Sequence, residues 1–322
     1  MVVIDMTYEE RVREAQSQVE KLIDAGAPIA KLSIFDVLDQ YSPSDAIKGE
    51  VEYTKELYLE LVEKLKEFSE EDQLVFLKAL KDADVVDNQS IEKEDSFMIS
   101  LSRHFESEFS IDLLLHKIVY GETISKEDFI KMHDVLLRGT SSEKKLGLRD
   151  NDLKFVGSFS DNPQTKFSFE NRAISYFPLR HTEIDTAVDK FLGFINGNVR
   201  PNDEYDVVLL PIICHGLLAA LQLFKDGNTR YGRLFQSALL FQLENEALYI
   251  DLPLPIVYAT RQYAAYRDEY RQKIENIVLQ NDSAAWDSWI RFSLRRIQDG
   301  IYYNMSCLDR MKNYSGGRKS YS

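Results

Sequence analysis

A turn followed by two arginines is the part of this sequence best suited to bind phosphates. Asp226, Gly227 and Asn228 are residue types that form a tight turn and cap a helix. From Thr229 to Leu243 the apolar residues recur at helical spacing, which predicts a helix. The start of a helix presents backbone N–H groups and the positive end of the helix dipole, and both favour a bound anion. We therefore predict an anion site at this turn.

Charged side chains strengthen that prediction. Arg230 and Arg233 are three residues apart, so we expect both to project near the first helical turn, where guanidinium groups bind phosphate oxygens bidentately. Asp226 is a candidate ligand for a Mg²⁺ ion that bridges phosphates. The candidate phosphate- and nucleotide-binding residues are Gly227, Asn228, Thr229, Arg230, Gly232 and Arg233.

The same stretch resembles the motif of the Fic family, His-Pro-Phe-x-Asp/Glu-Gly-Asn-Gly-Arg-x-x-Arg. The matching residues are Phe224, Asp226, Gly227, Asn228, Arg230 and Arg233. Gln222 stands at the position of the family's catalytic His, Leu223 at that of its Pro, and Thr229 at that of its second motif Gly. The resemblance extends over roughly 110–300 and implies a protein that transfers AMP from ATP to a protein hydroxyl with the help of Mg²⁺.

Two further segments resemble parts of Fic proteins. The first resembles the β-hairpin flap, where a target or partner protein would dock; it comprises Arg149, Lys154, Phe155, Val156 and Gly157. The second, Ser44 to Gly49, resembles an inhibitory motif in which a Glu pairs with the motif's second arginine, the position of Arg233. Lys48 stands at the position of that Glu, so the resemblance implies no inhibitory ion pair here. The alternative is a helix capped at Ser42 or Ser44 with a solvated Lys48.

The departure at Gln222 has the largest consequence for activity. A Gln amide has no useful basicity near neutral pH, and the loss of a general base typically costs ~10²–10⁴-fold in rate. We expect all five histidines to lie well outside the motif turn, so none is expected to replace the base. Thr229 could donate its hydroxyl to a phosphate oxygen or could narrow the site.

Three functions stay open from these residues. The first is a degenerate Fic protein that binds a nucleotide or another phosphorylated ligand with weak or no AMP transfer. The second is a silent Fic-fold module that binds a partner protein by β-augmentation at the flap. The third is an active transferase that uses substrate-assisted or different phosphate chemistry.

Composition restricts the other functional classes. The net charge of −14 argues against binding to nucleic acid or an anionic membrane surface, since both require a basic face. Cys214 and Cys307 are the only cysteines, so we expect two reduced thiols and no zinc site. No apolar run approaches the ~20 residues that span a bilayer, and we expect a cytoplasmic protein.

The periodicity of the whole chain predicts an all-α fold. We expect a Fic-like helical core with a small β-hairpin flap and an N-terminal helical region. The expected divisions are an N-terminal region over 1–105 that contains the inhibitory-helix-like segment, a Fic-like domain over 106–300 with its closing helices, and a C-terminal tail over 301–322.

Overall fold

The fold is mostly helical, as predicted. The computed structural model describes residues 7–76, 122–138, 142–157, 167–169, 172–198, 208–247 and 259–318, with residues 79 and 117 in isolation. The division expected at 105–106 lies outside these residues. The α-helices, numbered here in chain order, are α1 Tyr8–Asp24, α2 Ser33–Asp39, α3 Asp45–Lys66, α4 Lys126–Leu137, α5 Ile184–Asn198, α6 Leu209–Leu221, α7 Asn228–Ala247, α8 Thr260–Ala265, α9 Arg267–Gln280 and α10 Ser283–Arg318.

Several helices begin at side chains that satisfy the free N–H groups of the first turn. Thr7 and Glu10 form a capping box at α1, and Ser125 and Asp128 form another at α4. Ser44 caps α3, where its hydroxyl oxygen accepts from Ile47 N–H at 3.4 Å. These caps explain why the helices begin where they do.

The central helix α6 is buried along its whole length. Its sequence is apolar on every face, which is typical of a helix surrounded by other helices. It packs against α7, α9, α5 and α10. Since α7 follows α6 after a short connection, the turn between them is held from both sides by buried helices.

The N-terminal region shares the main core. Helix α3 packs along α10, with Leu61 and Leu65 fully buried and Thr54 Oγ1 accepting from Gln298 Nε2 at 2.9 Å. Buried residues from α2 and α3 belong to the same hydrophobic cluster as those of α6 and α7. The predicted N-terminal region and Fic-like domain are therefore joined by one continuous core.

A small antiparallel sheet replaces the simple hairpin that the sequence predicted. Strands β1 Val156–Gly157, β2 Ser168–Phe169 and β3 Arg172–Tyr176 form three strands in the order β1-β3-β2. The strand of the predicted flap is β1, and it pairs with β3, whose Ile174 and Tyr176 are buried. A two-residue strand needs such a buried neighbour, because an isolated hairpin is marginally stable in water.

The predicted C-terminal tail must be corrected. Helix α10 continues from Ser283 to Arg318, and Ile301 and Leu308 on it are buried. These apolar residues extend the face that packs against α3, so the folded region continues past 300. Within the part of the chain that the structure describes, no helix has both the length and the apolar character needed to cross a bilayer.

The packing of α3 can be tested with two leucines on that helix. Leu61 is fully buried and Leu59 is 53% exposed. We expect Leu61→Ala to lower the free energy of unfolding by about 2–5 kcal/mol and Leu59→Ala to change it by less than about 0.5 kcal/mol, measured by urea denaturation. Equal, small effects would contradict the shared core.

Candidate functional site

The turn between α6 and α7 is closed by a single amide side chain. Asn228 Oδ1 accepts from Phe224 N–H at 2.8 Å, and Asn228 Nδ2 donates to the Phe224 carbonyl at 2.9 Å. This corrects the predicted role of Asn228 as a helix cap, because it is the first residue of α7 and its side chain bonds backwards. Gly227 permits the reversal with φ +70°, the left-handed region that favours glycine.

Asp226 lies at the tip of the turn as an ionised carboxylate. Its Oδ1 accepts from Gly227 N–H at 2.7 Å, and its Oδ2 accepts from the Ser142 hydroxyl at 2.9 Å. Burial raises the pKa of Asp226, but these hydrogen bonds and the charges of Lys154 and Lys145 outweigh burial and leave the pKa below its ordinary value. Negative charge is therefore held at the turn at neutral pH.

His133 on α4 supports the turn from below. Its ring stacks on Phe224 at a centroid distance of 3.7 Å, and its Nε2–H donates to the Asp226 carbonyl at 2.8 Å. The expectation that every histidine lies well outside the motif turn is wrong for His133, because α4 folds back under the turn. Its side chain is fully buried, so it holds the backbone in place and does not face the solvent.

Arg149 fixes the start of the turn. Its Nε donates to the Gln222 carbonyl at 2.7 Å, its Nη1 donates to the Asn151 carbonyl at 3.1 Å, and its Nη2 donates to the Leu179 carbonyl. Burial lowers the pKa of Arg149 to about 10, with Asp152 opposing that effect. Arg149 thus remains charged at neutral pH and acts as a clamp on backbone oxygens.

The backbone conformation of Gln222 is unusual for a residue that is not glycine. It lies in the left-handed region at φ +52°, and its Nε2 donates to the Ala219 carbonyl at 2.7 Å. The side chain therefore folds back onto the end of α6. The Arg149 clamp and this bond together hold the strained residue in place.

The predicted flap lies beside the turn. Residues 147–149 pair with residues 223–225 through two backbone bonds, from Arg149 N–H to the Leu223 carbonyl at 3.0 Å and from Lys225 N–H to the Gly147 carbonyl at 3.1 Å. Lys154 Nζ then donates to the Lys225 carbonyl at 3.3 Å. The segment from 149 to 157 is therefore anchored to the turn at both ends.

A cavity of about 260 Å³ opens between the turn, the flap and α9. Gln222 and residues 226–229 line it from the turn, and residues 154–157 line it from the flap. Helix α9 contributes Tyr270, Arg271 and Glu275. The N-terminal turn of α7 thus lies at a cavity that is partly open to solvent.

The two arginines of the motif do not line this cavity, which corrects the expectation that both reach one phosphate site. Arg230 is 8% exposed, and its Nη2 donates to the Ser142 hydroxyl oxygen at 3.4 Å. Arg233 is 2% exposed and its charge acts on His215. Residues three apart are offset by about 60° around a helix and about 4.5 Å along it, so the two side chains can enter different environments.

His215 is a buried structural residue. Its ring nitrogens lie 2.7 Å from Gln236 Oε1 and 2.9 Å from the Tyr270 hydroxyl. Burial, together with the charge of Arg233, lowers the pKa of His215 to about 3, so the ring is neutral. Gly232 allows α6 and α7 to approach, because a Cβ there would lie 2.7 Å from His215 Cδ2. Gly232 is therefore a packing residue in this structure.

The inhibitory-helix position lies on α3. Ser44 caps that helix, and the Lys48 side chain is 58% exposed with its Nζ 4.0 Å from Asp45 Oδ1. Neither Lys48 nor Gly49 lines the cavity. The structure thus has the alternative arrangement, a capped helix with a solvated lysine, because α3 is held against α10 on its other face by contacts such as Arg291 Nη1 to Glu50 Oε1 at 2.9 Å.

Sequence reasoning missed the contribution of α9. Arg271 and Glu275 line the cavity one helical turn apart, and burial raises the pKa of Glu275 against opposing effects from Ser175 and Arg271. Spacing of four residues between opposite charges is common on solvated helices, so no local signal marked this pair. Their role depends on tertiary packing of α9 against α6 and β3.

Asp226 is compatible with the predicted Mg²⁺. Magnesium is commonly held by one or two carboxylates together with substrate phosphates and water. Asp226 supplies one ionised carboxylate at the cavity: its Oδ1 retains a lone pair beside the bond from Gly227 N–H, while its Oδ2 accepts from the Ser142 hydroxyl and from Lys145 Nζ at 3.4 Å. Among the described residues, no group of three or more His, Cys, Asp or Glu could hold a metal ion, so the phosphates would have to complete the coordination.

Comparison with known proteins gave a matching family model and similar solved structures. Residues 123–240 match the model of the Fic/DOC family. A Fic family protein from Desulfovibrio desulfuricans G20 shares 13% identity, with 83% of this chain and 76% of that chain covered and a TM-score of 0.51. Fic-1 (residues 134–508) from C. elegans shares 14% identity over 95% of this chain and 80% of that chain, with a TM-score of 0.45.

The class of protein follows from these matches. The likeness to the first solved structure concerns the fold, which is a Fic-type helical fold. The Fic/DOC match covers α4, the flap, α6 and the first part of α7, which are the elements that form the turn and most of the cavity. Together they show a Fic-type helical fold and a Fic/DOC family match over residues 123–240.

Two glycines test how tightly the turn is packed. Gly147 and Gly227 both have positive φ, but a Cβ would meet nothing within 4 Å at Gly147 and would lie 2.7 Å from Leu137 Cδ2 at Gly227. We expect Gly147→Ala to cost about 1–2 kcal/mol of unfolding free energy and Gly227→Ala about 1–3 kcal/mol more. Equal costs in chemical denaturation would show that Leu137 does not confine the turn.

Proposed function

We propose that this protein binds the phosphates of a nucleotide such as ATP at the turn 226–229, and that its AMP transfer is impaired because Gln222 replaces the family's base. Fic domain proteins are generally AMP transferases. The observation that carries the proposal is the cavity, in which the start of α7 and the carboxylate of Asp226 face the flap across one space. Helix N-termini are well suited to phosphates.

The residues around the cavity have different roles in the proposed binding. Lys154 supplies positive charge from the flap, and Arg271 supplies it from α9. Asp226 would hold Mg²⁺, which when bound would neutralise phosphate charge. Arg230 acts indirectly, because it donates a hydrogen bond to the Ser142 hydroxyl, which in turn donates to Asp226. Arg233 lies too deep to contact the ligand in this arrangement and stabilises the α6–α7 packing.

The resemblance implies that a His at position 222 would take the proton of the attacking hydroxyl. Gln222 cannot do so, and its amide is already engaged with the Ala219 carbonyl. Binding of phosphate and loss of the base are separate properties, because they depend on different sides of the turn. The site therefore favours a nucleotide-binding protein with weak transfer.

A second function, a partner-binding module, is favoured by the edge of the sheet. Among the residues that the structure describes, strand β1 pairs with β3 and with no other strand, and we propose that its other edge receives an extended segment of a target or partner protein. This edge borders the cavity through Val156 and Gly157. Docking by β-augmentation would use backbone hydrogen bonds and needs no catalysis at position 222.

Calorimetric titration with ATP, ADP and a CDP-type ligand, each with and without Mg²⁺, tests nucleotide binding. We expect ATP to bind in a Mg²⁺-dependent manner. Asp226→Asn should weaken binding by about tenfold or more, because it removes the charged ligand and retains an oxygen that accepts from Gly227 N–H.

The matched control is Asp150→Asn. Asp150 pairs with Lys225 at 2.8 Å and is exposed outside the cavity. This substitution should leave ATP affinity unchanged. Absence of ATP binding by the wild type would contradict the proposal and favour the partner-binding module.

Incorporation of labelled AMP tests the missing base. We expect little transfer by the wild type and an increase of up to ~10²-fold in Gln222→His, limited by Leu223 and Thr229, which also depart from the family motif. His is among the residues that tolerate positive φ, so the substitution fits the backbone at φ +52°.

Gln222→Asn is the control, because Asn also tolerates this conformation and has no basic group. It should not increase transfer. Strong transfer by the wild type, or an equal increase in Gln222→His and Gln222→Asn, would contradict the assignment of this position.

A further inference from the structure

Helix α9 brings a second carboxylate to the cavity that Asp226 lines. Glu275 lines the same cavity of about 260 Å³ as Gln222 and Gly227. It is half-buried, and Ser175 on β3 donates a hydrogen bond to it. The functions described above give this carboxylate no role.

We propose that Glu275 accepts the proton of the attacking hydroxyl in the slow AMP transfer that this protein retains, in place of the base missing at Gln222. This inference rests on the proposed nucleotide binding. A base must lie within hydrogen-bond reach of the proton or be connected to it by one water. Gln222 and Glu275 both line this one cavity, so a hydroxyl that enters it beside Gln222 shares the space with the Glu275 carboxylate.

The position of Glu275 relative to the end of α6 supports this geometry. The Tyr176 hydroxyl lies 3.5 Å from the Ala219 carbonyl, which also accepts from Gln222 Nε2. Burial is the largest effect that raises the pKa of that same tyrosine, and the charge of Glu275 is the next largest. Tyr176 and Glu275 thus line one cavity, and Tyr176 contacts the end of the helix that precedes Gln222.

The surroundings of Glu275 suit a general base. Burial raises its pKa, while the hydrogen bond from Ser175 and the charge of Arg271 on the same helix lower it; burial prevails. A base whose pKa is raised towards the working pH accepts a proton more readily than an exposed carboxylate does. Lys154 and Asp226 face the cavity from the other walls, with opposite charges.

The proposed step needs no oxidant or reductant. The oxygen of a protein hydroxyl attacks the α-phosphorus of a nucleoside triphosphate, and a new P–O bond forms. The bond from the α-phosphorus to the oxygen that bridges to the β-phosphate breaks, and pyrophosphate leaves. The hydroxyl proton moves to the Glu275 carboxylate and is later released to water.

The test measures labelled AMP transfer by the wild type, Glu275→Gln and Glu269→Gln. Glu269 is the matched control, since it is an exposed carboxylate on the same helix that lies 3.9 Å from Lys273 and does not line the cavity. We expect Glu275→Gln to lower the rate by about tenfold or more with ATP affinity retained, and Glu269→Gln to behave as the wild type.

The pH profile provides a readout that a structural role would not change. A general base acts when deprotonated, so the wild-type rate should rise with pH through a pKa above 4.5, the ordinary value for Glu. In Glu275→Gln this rise of the rate with pH should be absent. In the Gln222→His background the same substitution should cost less than in the wild type, because the imidazole then competes for the proton.

Three results would overturn the inference. Glu275→Gln could transfer AMP as fast as the wild type, or it could lose the same factor in both backgrounds, which would indicate a structural role. The wild type could also bind ATP in calorimetry and show no transfer at all, which would remove the role of Glu275 and leave the nucleotide site intact. Absence of ATP binding would instead remove the proposed function and this inference with it.

Discussion

The amide of Asn228 and the backbone of Phe224 form the pair of hydrogen bonds on which the site depends. Both residues are almost completely buried, so an amide that lost either bond would leave a polar group without compensation. Such a loss costs about 1–3 kcal/mol, which is a large part of the stability of a domain. The pair fixes the turn between α6 and α7 and with it the direction in which α7 begins.

The residues around the turn support the conformation that these two hydrogen bonds fix. His133 stacks on Phe224 and donates to the Asp226 carbonyl, while Arg149 holds the Gln222 carbonyl from the other side. These contacts come from α4 and from the flap, while α9 contributes further residues to the cavity. The carboxylates of Asp226 and Glu275 consequently line one space from different elements, and their charge environments differ.

How much of this could be predicted from the sequence depends on the range of the interaction. The turn at Asp226 and Gly227, the helix that follows and the cap at Ser44 were predictable, because each depends on residues within a few positions. The support from His133 was not, because it lies 93 residues from Asp226 in the chain.

The directions of the buried side chains could not be predicted from the sequence either. Arg230 and Arg233 share a spacing that suggested one common target, but the packing of α6 and α7 separates their surroundings. The helix past 300 was missed because its apolar residues are spread over a polar sequence, and their burial is evident only against α3. The cavity wall on α9 likewise depends on tertiary packing.

The central claim is that a phosphate group occupies the cavity at the start of α7. A crystal structure with a non-hydrolysable ATP analogue and Mg²⁺ tests it most directly. The account predicts phosphate oxygens against the first residues of α7, 228–229, with the metal ion on the Asp226 carboxylate. An analogue bound elsewhere, or a cavity filled only by an extended protein segment along β1, would contradict it.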